Sequence, residues 1–355
     1  MRILPINPGS TSTKIAVYDD LKPVLVQTIR HTVAELAQFP QINDQFEFRK
    51  NLVIEAIRDN DMPLQFDAVV GRGGLLKPIP GGVYEVNDVM LKELEHPMRK
   101  HACNLGCRIA YDIASAIPGC MALTADPGVV DELDDVARVT GSPIMPRITT
   151  WHALNQRAIG RRFAAEYGKG RKYRDMNLVI CHLGGGISIG AHRKGRCIDV
   201  NNALDGEGPF SPERAGTLPS GALIDLCYSN RYTIDELKKR ISGKAGLSAH
   251  LGTTDVAEIV KSIEKGDKKA ELVLNAMIYQ ISKSVGGAAV ALYGKVDAIL
   301  LTGGIAYSDY VTSRIRERVR FLAPVYIYPG EDEMLALAMN GIGVLKGEVT
   351  AKEYK

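Results

Sequence analysis

The chain has 355 residues, 45% hydrophobic and 24% charged, with 44 Lys and Arg against 41 Asp and Glu for a net charge of +3. That profile excludes disorder, a collagen-like repeat and a coiled coil, and the near-neutral balance gives no attraction for nucleic acid or an anionic membrane. Glycine is the departure from average, 35 residues where about 7% is usual, so many tight backbone turns are expected.

Short β-branched runs alternate with longer amphipathic stretches, the pattern of an α/β protein. In chain order, strands are predicted at Ile3–Asn7, Lys14–Tyr18, Val24–Ile29, Ala68–Gly71, Met121–Thr124, Leu178–His182, Ser188–His192, Cys197–Val200, Ala298–Thr302 and Val325–Tyr328. Helices are predicted at about 44–59, 88–116, 152–167, 219–228, 233–241, 255–264, 268–293, 308–321 and 332–346. The length suggests two domains, and Pro143, Pro146 and Thr149-Thr150 place the boundary near 150. The expected lobes are therefore 1–150, completed by a C-terminal helix at about 330–355, and 151–329.

No apolar run approaches the roughly 18 residues of a membrane span. Met1 to Gly9 lacks the apolar core of a signal peptide, so a cytoplasmic protein is expected. Six cysteines are scattered without a CxxC pair, which argues against a zinc site or disulfide framework; Cys103 and Cys107 are expected as buried thiols on one long helix.

Residues 3–18 and 178–193 share one plan of apolar strand, polar residue, Gly-rich turn, hydroxyl residues and returning strand. Setting Asn7 opposite His182 brings Gly9 onto Gly184 and Ala16 onto Ala191, which suggests two similar lobes. A third turn, Gly303-Gly304, follows the strand ending at Thr302. In the first hairpin, Gly9, Ser10, Thr11, Ser12, Thr13 and Lys14 offer backbone N–H groups, hydroxyls and an ammonium suited to a polyphosphate. An ordinary hydroxyl-rich hairpin would read the same way, but a second copy favours phosphate. GxxxxGK[ST] is absent, and Gly184-x-Gly186-x-x-Ile189 fails the dinucleotide fingerprint at its third glycine.

Asn7-Pro8-Gly9-Ser10-Thr11-Ser12-Thr13-Lys14, His182-Leu183-Gly184-Gly185-Gly186-x-Ser188 and Thr302-Gly303-Gly304-Ile305-Ala306 resemble the two phosphate motifs and the adenosine motif of the acetate and butyrate kinase family. Ala125-Asp126-Pro127 and the run from Asn201 to Arg214 are similar to the butyrate kinases in particular, and the match runs end to end. The resemblance implies two lobes of the actin-like ATPase (ribonuclease H-like) type, each a mixed sheet flanked by helices. It implies an ATP and substrate cleft between them, and a homodimer. The activity implied is reversible transfer of a phosphoryl group from ATP to a short-chain carboxylate, butyrate or a branched analogue, with ADP and magnesium as the further ligands. An acetate or propionate kinase of the same family, or an ATPase module of the actin or chaperone kind, is the alternative.

Arg72, at a strand end between glycines, can grip a carboxylate bidentately and is by resemblance the substrate arginine; a surface arginine is the other reading. Asp126, at a strand's carboxyl end, suits a magnesium ion or a helix cap. His152 by resemblance contacts the transferring phosphoryl as hydrogen-bond donor or cation, and could equally be structural. His182 is a phosphate or a structural contact. Arg214, the lone arginine between Asp199 and Asp225, is the candidate second catalytic cation, in a context that departs from the acetate kinases' Gly-Thr-Arg. By resemblance Gly184, Gly185 and Gly186 bind phosphate, and Asp255, Gly303, Gly304 and Ile305 flank the adenosine, although Asp255 as a plain helix N-cap would read the same. Asn7, Asp332 and Glu333 join Asp126 at the metal, although acids in a first helical turn also complement the helix dipole.

Overall fold

The computed structural model describes all 355 residues as two compact units, one of Met1–Val130 with Asp332–Lys355 and one of Asp131–Glu331. The first is built on strands β1 (Arg2–Pro8), β2 (Ser12–Asp19), β3 (Lys22–Arg30), β4 (Ala68–Gly71), β5 (Val83–Glu85) and β6 (Met121–Ala125). Their order is β3-β2-β1-β4-β6-β5. The three N-terminal strands are antiparallel, β1, β4 and β6 run parallel, and β5 returns antiparallel on β6. Period-two alternation sends Leu4, Ile6, Ile15, Val17 and Val69 to one face, where they pack on the helices Phe46–Arg58 and Leu105–Ser115 through Val53, Ile57, Leu105 and Ile109.

The second unit contains β7 (Asn177–Leu183), β8 (Ile187–Arg193), β9 (Arg196–Val200), β10 (Ala298–Gly303) and β11 (Val325–Pro329), ordered β11-β10-β7-β8-β9. Its hairpins are again antiparallel, and β7, β10 and β11 again run parallel. Val179, Cys181, Ile299 and Leu301 pack on the helix Lys268–Ala291, while Leu178, Ile180 and Leu300 meet Phe163 and Tyr173 on the other face. Burial on both faces explains why these strands read as continuous apolar runs.

Residues 131–150 belong to the second unit because they are bonded to its sheet edge and the loop beyond. Asp134 N donates to Ile198 O at 2.9 Å, Arg147 holds Asp199 and Glu207 at 2.9 and 2.6 Å, and Asn202 donates to Ile148 O at 2.7 Å.

The single helix expected over 88–116 is two, Asp88–Glu95 and Leu105–Ser115. Pro97 denies its predecessor the helical conformation. The intervening loop is held by Asn104, which accepts from Leu75 N and donates to Arg99 O, each at 2.8 Å. Cys103 therefore sits in a short 3-10 turn and Cys107 in the second helix; both are buried thiols, pushed up to about 11 by that burial. Strand β5 and the short helix Gly246–Leu251 were not expected; neither is long enough to establish a period.

Candidate active site

In the first unit the hairpin between β1 and β2 closes with Gly9 N on Ser12 O at 2.7 Å. Three of its carbonyls face Arg49, a fully buried residue of the helix Phe46–Arg58, while Thr11 O accepts from His31 N at 2.9 Å. The guanidinium donates to the main-chain oxygens of Gly9, Ser10 and Ser12 at 2.8, 3.2 and 3.1 Å, to Thr13 Oγ1 at 3.1 Å and to Gln45 Oε1 at 3.0 Å. No carboxylate is among these partners, and burial pushes Arg49 down to about 10, still charged at neutral pH. Carbonyl dipoles that would repel a phosphate are thus occupied by one permanent cation. Thr13 Oγ1 also meets His31 Nε2 at 2.9 Å, and burial, then the Arg49 charge, pull His31 below its ordinary value. Ser10 is exposed, while Ser12 and Lys14 are half-buried, with Lys14 directly opposite Asn7 in the ladder.

At the carboxyl ends of the parallel strands β1 and β4, Asn7 Nδ2 donates to Glu333 Oε2 at 2.6 Å, Arg72 Nη2 pairs with Glu333 Oε1 at 3.0 Å, and Arg72 Nη1 donates to Asn7 Oδ1 at 3.3 Å. The Arg72 backbone is fixed by a glycine contact: a Cβ on Gly71 would lie 2.2 Å from Gly106 O, and one on Gly106 would lie 2.2 Å from Arg72 O. Arg72 remains 35% exposed, so its fork reaches solvent. Asp126 follows β6 with φ at 40°, is buried, and exchanges two bonds with Gly82, accepting its N–H at 2.8 Å and donating to its carbonyl at 2.9 Å. Asp332 caps the final helix, accepting from Leu335 N at 3.1 Å; it is Glu333 that meets Asn7 and Arg72.

In the second unit, His182 and His152 stack with centroids 3.7 Å apart and planes at 9°. His182 is 1% exposed, with Nδ1 on Asn155 Oδ1 at 2.8 Å and Nε2 on Glu331 Oε1 at 3.0 Å. The glycine turn that follows is held by Ser211, whose hydroxyl donates to Gly185 O at 2.6 Å. Arg214 donates to Ala203 O at 2.6 Å and lies against Gly186, where any Cβ would stand 1.7 Å from its Nη1.

A cavity of about 940 Å³ opens beside this turn, lined by Gly184, Gly185, Glu213, Asp255, Gly304 and Ile305 among others, with Val256 and Val260 as its apolar wall. The volume is in the range of ligand pockets. Asp255 caps the helix Val256–Glu264 through Ala257 N at 2.8 Å. Gly186 and Gly303 do not line the cavity; Gly303, at φ 91°, lets β10 approach Leu183 O, which a Cβ would meet at 2.4 Å.

Residues 151–326 match the family model described as the acetokinase family. Over its whole length the chain is 66% identical to a probable butyrate kinase of Bacteroides thetaiotaomicron, spanning 100% of both. The chain belongs to the acetokinase family. It is also 52% identical over 356 residues to butyrate kinase 2 of Clostridium acetobutylicum, covering 100% of this chain and 99% of that protein. The structure of Porphyromonas gingivalis acetate kinase superposes with a TM-score of 0.80 at 18% identity, covering 97% and 99% of the two chains. That likeness shows the fold, two mixed sheets flanked by helices of the actin-like ATPase type. The acetokinase family model begins in the second unit, so for the first unit the assignment rests on the full-length relatives.

Three residues that hold these elements in place were not singled out from sequence: Arg49 in the first unit, and Ser211 and Glu331 in the second. For Arg49 a signal existed, since it shares the stripe of Phe46, Val53, Ala56 and Ile57, and a charge on an apolar face is the informative exception.

Proposed function

We propose that the protein is a butyrate kinase, moving the γ-phosphoryl group of ATP onto the carboxylate of butyrate or a branched short-chain analogue. A carboxylate oxygen bonds to the γ-phosphorus as the bond to the bridging oxygen breaks, and the electron pair leaves with ADP. The acid is already ionised at pH 7, so no base need remove a proton; positioning and charge control supply the rate.

The observation that carries the reading is the Arg72 fork at the strand ends, braced by Asn7 and Glu333 and open to solvent. Two of its five N–H groups serve those neighbours, leaving the geometry of a bidentate carboxylate grip. Glu333, ion-paired with Arg72, is poorly suited to act as the base a hydroxyl acceptor would want.

The hydroxyls of Ser10 and Ser12 with Lys14, and the Gly184–Gly186 turn, bind phosphates. The cavity at Asp255, Gly304 and Ile305 takes the adenosine. His152 donates to the transferring phosphoryl, His182 braces it by stacking, and Arg214 supplies a second cation. Magnesium binds with one or two carboxylates, completing its shell with water and phosphate oxygens. Asp126, Glu333 and the Asn7 amide oxygen are donors of that kind, and no cluster of three His, Cys, Asp or Glu exists to hold a metal alone. Bound there, the ion would neutralise charge on the β- and γ-phosphates.

No helix is long and apolar enough to cross a membrane, which suits a cytoplasmic enzyme. On the helix Lys268–Ala291, Leu272, Tyr279 and Val290 are exposed at spacings that share a face, which supports a homodimer.

The test is hydroxamate formation from Mg-ATP, hydroxylamine and acids of two to five carbons. The expected order peaks at four carbons, and no product with any acid overturns the reading. Arg72→Ala should raise the KM for the acid about 10- to 100-fold and lower kcat as well. An unchanged KM removes Arg72 from the carboxylate site.

A further inference from the structure

We infer that a buried chain of neutral groups, Tyr173–His192–Gln156–Ser188, fixes His152 in the tautomer that carries its proton on Nε2, making it a neutral hydrogen-bond donor. The inference deepens the proposed function and rests on it for the place of His152 at the phosphoryl group. The starting point is one atom that can only accept. Gln156 Nε2 lies 3.0 Å from the main-chain oxygen of Ser188, so the amide nitrogen must face that strand, and its second N–H reaches Ser188 Oγ at 2.8 Å.

With the amide so oriented, Gln156 Oε1 faces His192 Nε2 at 2.8 Å, and a carbonyl oxygen requires a proton on that nitrogen. His192 is fully buried, and burial, then the Arg157 charge, depress it to about 3, so the ring is neutral and Nδ1 is bare. Tyr173 donates its hydroxyl to that nitrogen at 2.6 Å.

At the other end, Ser188 Oγ accepts from Gln156 and faces the His152 main-chain N–H at 3.4 Å. Its own proton is therefore directed at His152 Nδ1, 2.9 Å away. A neutral ring whose Nδ1 accepts carries its proton on Nε2. Were His152 an imidazolium, Ser188 Oγ would face three N–H donors while its own proton, in a fully buried side chain, lost its acceptor. The ring plane is held separately, by the stack on His182. Ser188, Gln156, His192 and Tyr173 are thus positioning residues, and the choice between donor and cation for His152 falls to the donor.

The experiment is long-range ¹H–¹⁵N correlation at neutral pH on the full-length chain labelled with ¹⁵N-histidine, the His152 signals being those lost in His152→Gln. Expected for the wild type are a bare Nδ1 and a protonated Nε2. Ser188→Ala should move both nitrogens toward the averaged values of exchanging tautomers and lower kcat about 10- to 100-fold with the KM for ATP little changed. Ser188→Thr, which keeps a hydroxyl, should restore the bare Nδ1. A protonated Nδ1 in the wild type, or shifts unmoved in Ser188→Ala, overturns the proposal. Should the variants not fold, the wild-type spectrum decides. The readout needs no turnover, so a bare Nδ1 in a protein without kinase activity supports the chain and overturns only the functional reading.

Discussion

The two units share the strand order β3-β2-β1-β4-β6 and β9-β8-β7-β10-β11, yet their glycine hairpins are secured by different means. In the first, Asn7 pairs with Lys14; in the second, His182 pairs with Ser188, so the second turn is one residue shorter. The ladder consequently aligns Ala16 with Gly190 rather than with Ala191, which the ungapped repeat suggests. The longer turn exposes more carbonyl groups and gathers them on a buried guanidinium. The shorter one is tied by the Ser211 hydroxyl and flanked by Arg214, which is itself held by a main-chain oxygen. One topology therefore tolerates two solutions to the same demand, a partner for the carbonyls of a glycine turn. One solution depends on a charge inside the fold, the other on neutral bonds with the charge beside the turn.

The sharpest way to break this contrast is Arg49→Met, which keeps much of the volume and removes the cation. The Gly9 and Ser10 carbonyls lose their donor, while Ser12 O keeps Gly9 N and Thr13 Oγ1 keeps His31; the cost is about 1–3 kcal/mol for each group left unsatisfied, partly offset because a desolvated charge is also removed. A loss of roughly 3 kcal/mol in urea unfolding is expected, with kcat/KM for ATP falling about 100-fold or more; Arg49→Lys should recover less than half of the stability, since an ammonium cannot span those acceptors. An unchanged urea midpoint would show that the hairpin does not depend on its cation. Next in size is Gly186→Ala. Its Cβ would occupy the place of Arg214 Nη1, so the guanidinium must leave. About 1–3 kcal/mol and a 10- to 100-fold loss of kcat are expected, and unchanged kinetics would separate Arg214 from the chemistry.

The contrast also marks what was legible in the sequence. Ten of the eleven strands follow from apolar runs bounded by turns, and the missed one, Val83–Glu85, has three residues. The glycine turns and Arg72 were visible because their chemistry is local: small residues, hydroxyls and a cation within one short segment. The residues that hold them were not, because they act across the sheet. Arg49 lies about forty positions from the carbonyls it binds, and Gln156 lies 32 from Ser188. His192 was hidden for another reason. Strand β8 is buried along nearly its whole length, so no alternation separates a functional polar residue from an apolar neighbour.

A third, smaller effect should distinguish the two supports by pH. Arg49 stays charged across the acid range, so the first hairpin's clamp does not titrate there. His192 is neutral in the folded chain down to about pH 3, whereas the unfolded chain binds its proton near the ordinary value of 6.5. Between these limits the unfolded state holds the extra proton, so stability falls as pH drops, by about 1.4 kcal/mol per pH unit for this group alone. Above 6.5 the contribution vanishes because the ring is neutral in both states. In His192→Gln the slope of unfolding free energy between pH 4 and 6 should be shallower by about one proton, and an identical slope would mean that His192 is not held neutral.

The smallest effect expected is the most direct comparison of the turns themselves. A Cβ on Gly9 would find only Ser12 O and Ser12 Oγ, both at 3.5 Å, which is ordinary contact, whereas one on Gly186 meets a guanidinium nitrogen at 1.7 Å. Gly9 also lies outside the left-handed region, so alanine needs no strained backbone there and loses less freedom on folding. Gly9→Ala should therefore leave stability unchanged or raise it by about 0.5 kcal/mol. Its N–H keeps its bond to Ser12 O, and its carbonyl keeps Arg49. If thermal unfolding nevertheless drops as far as in Gly186→Ala, the first turn is as tightly packed as the second, and Arg49 secures a shape that glycine alone permits. If only the KM for ATP rises while the unfolding temperature holds, the methyl group is meeting the nucleotide rather than the protein. Gly9 would then serve the approach of phosphate to the backbone, whereas Gly186 makes room for a side chain.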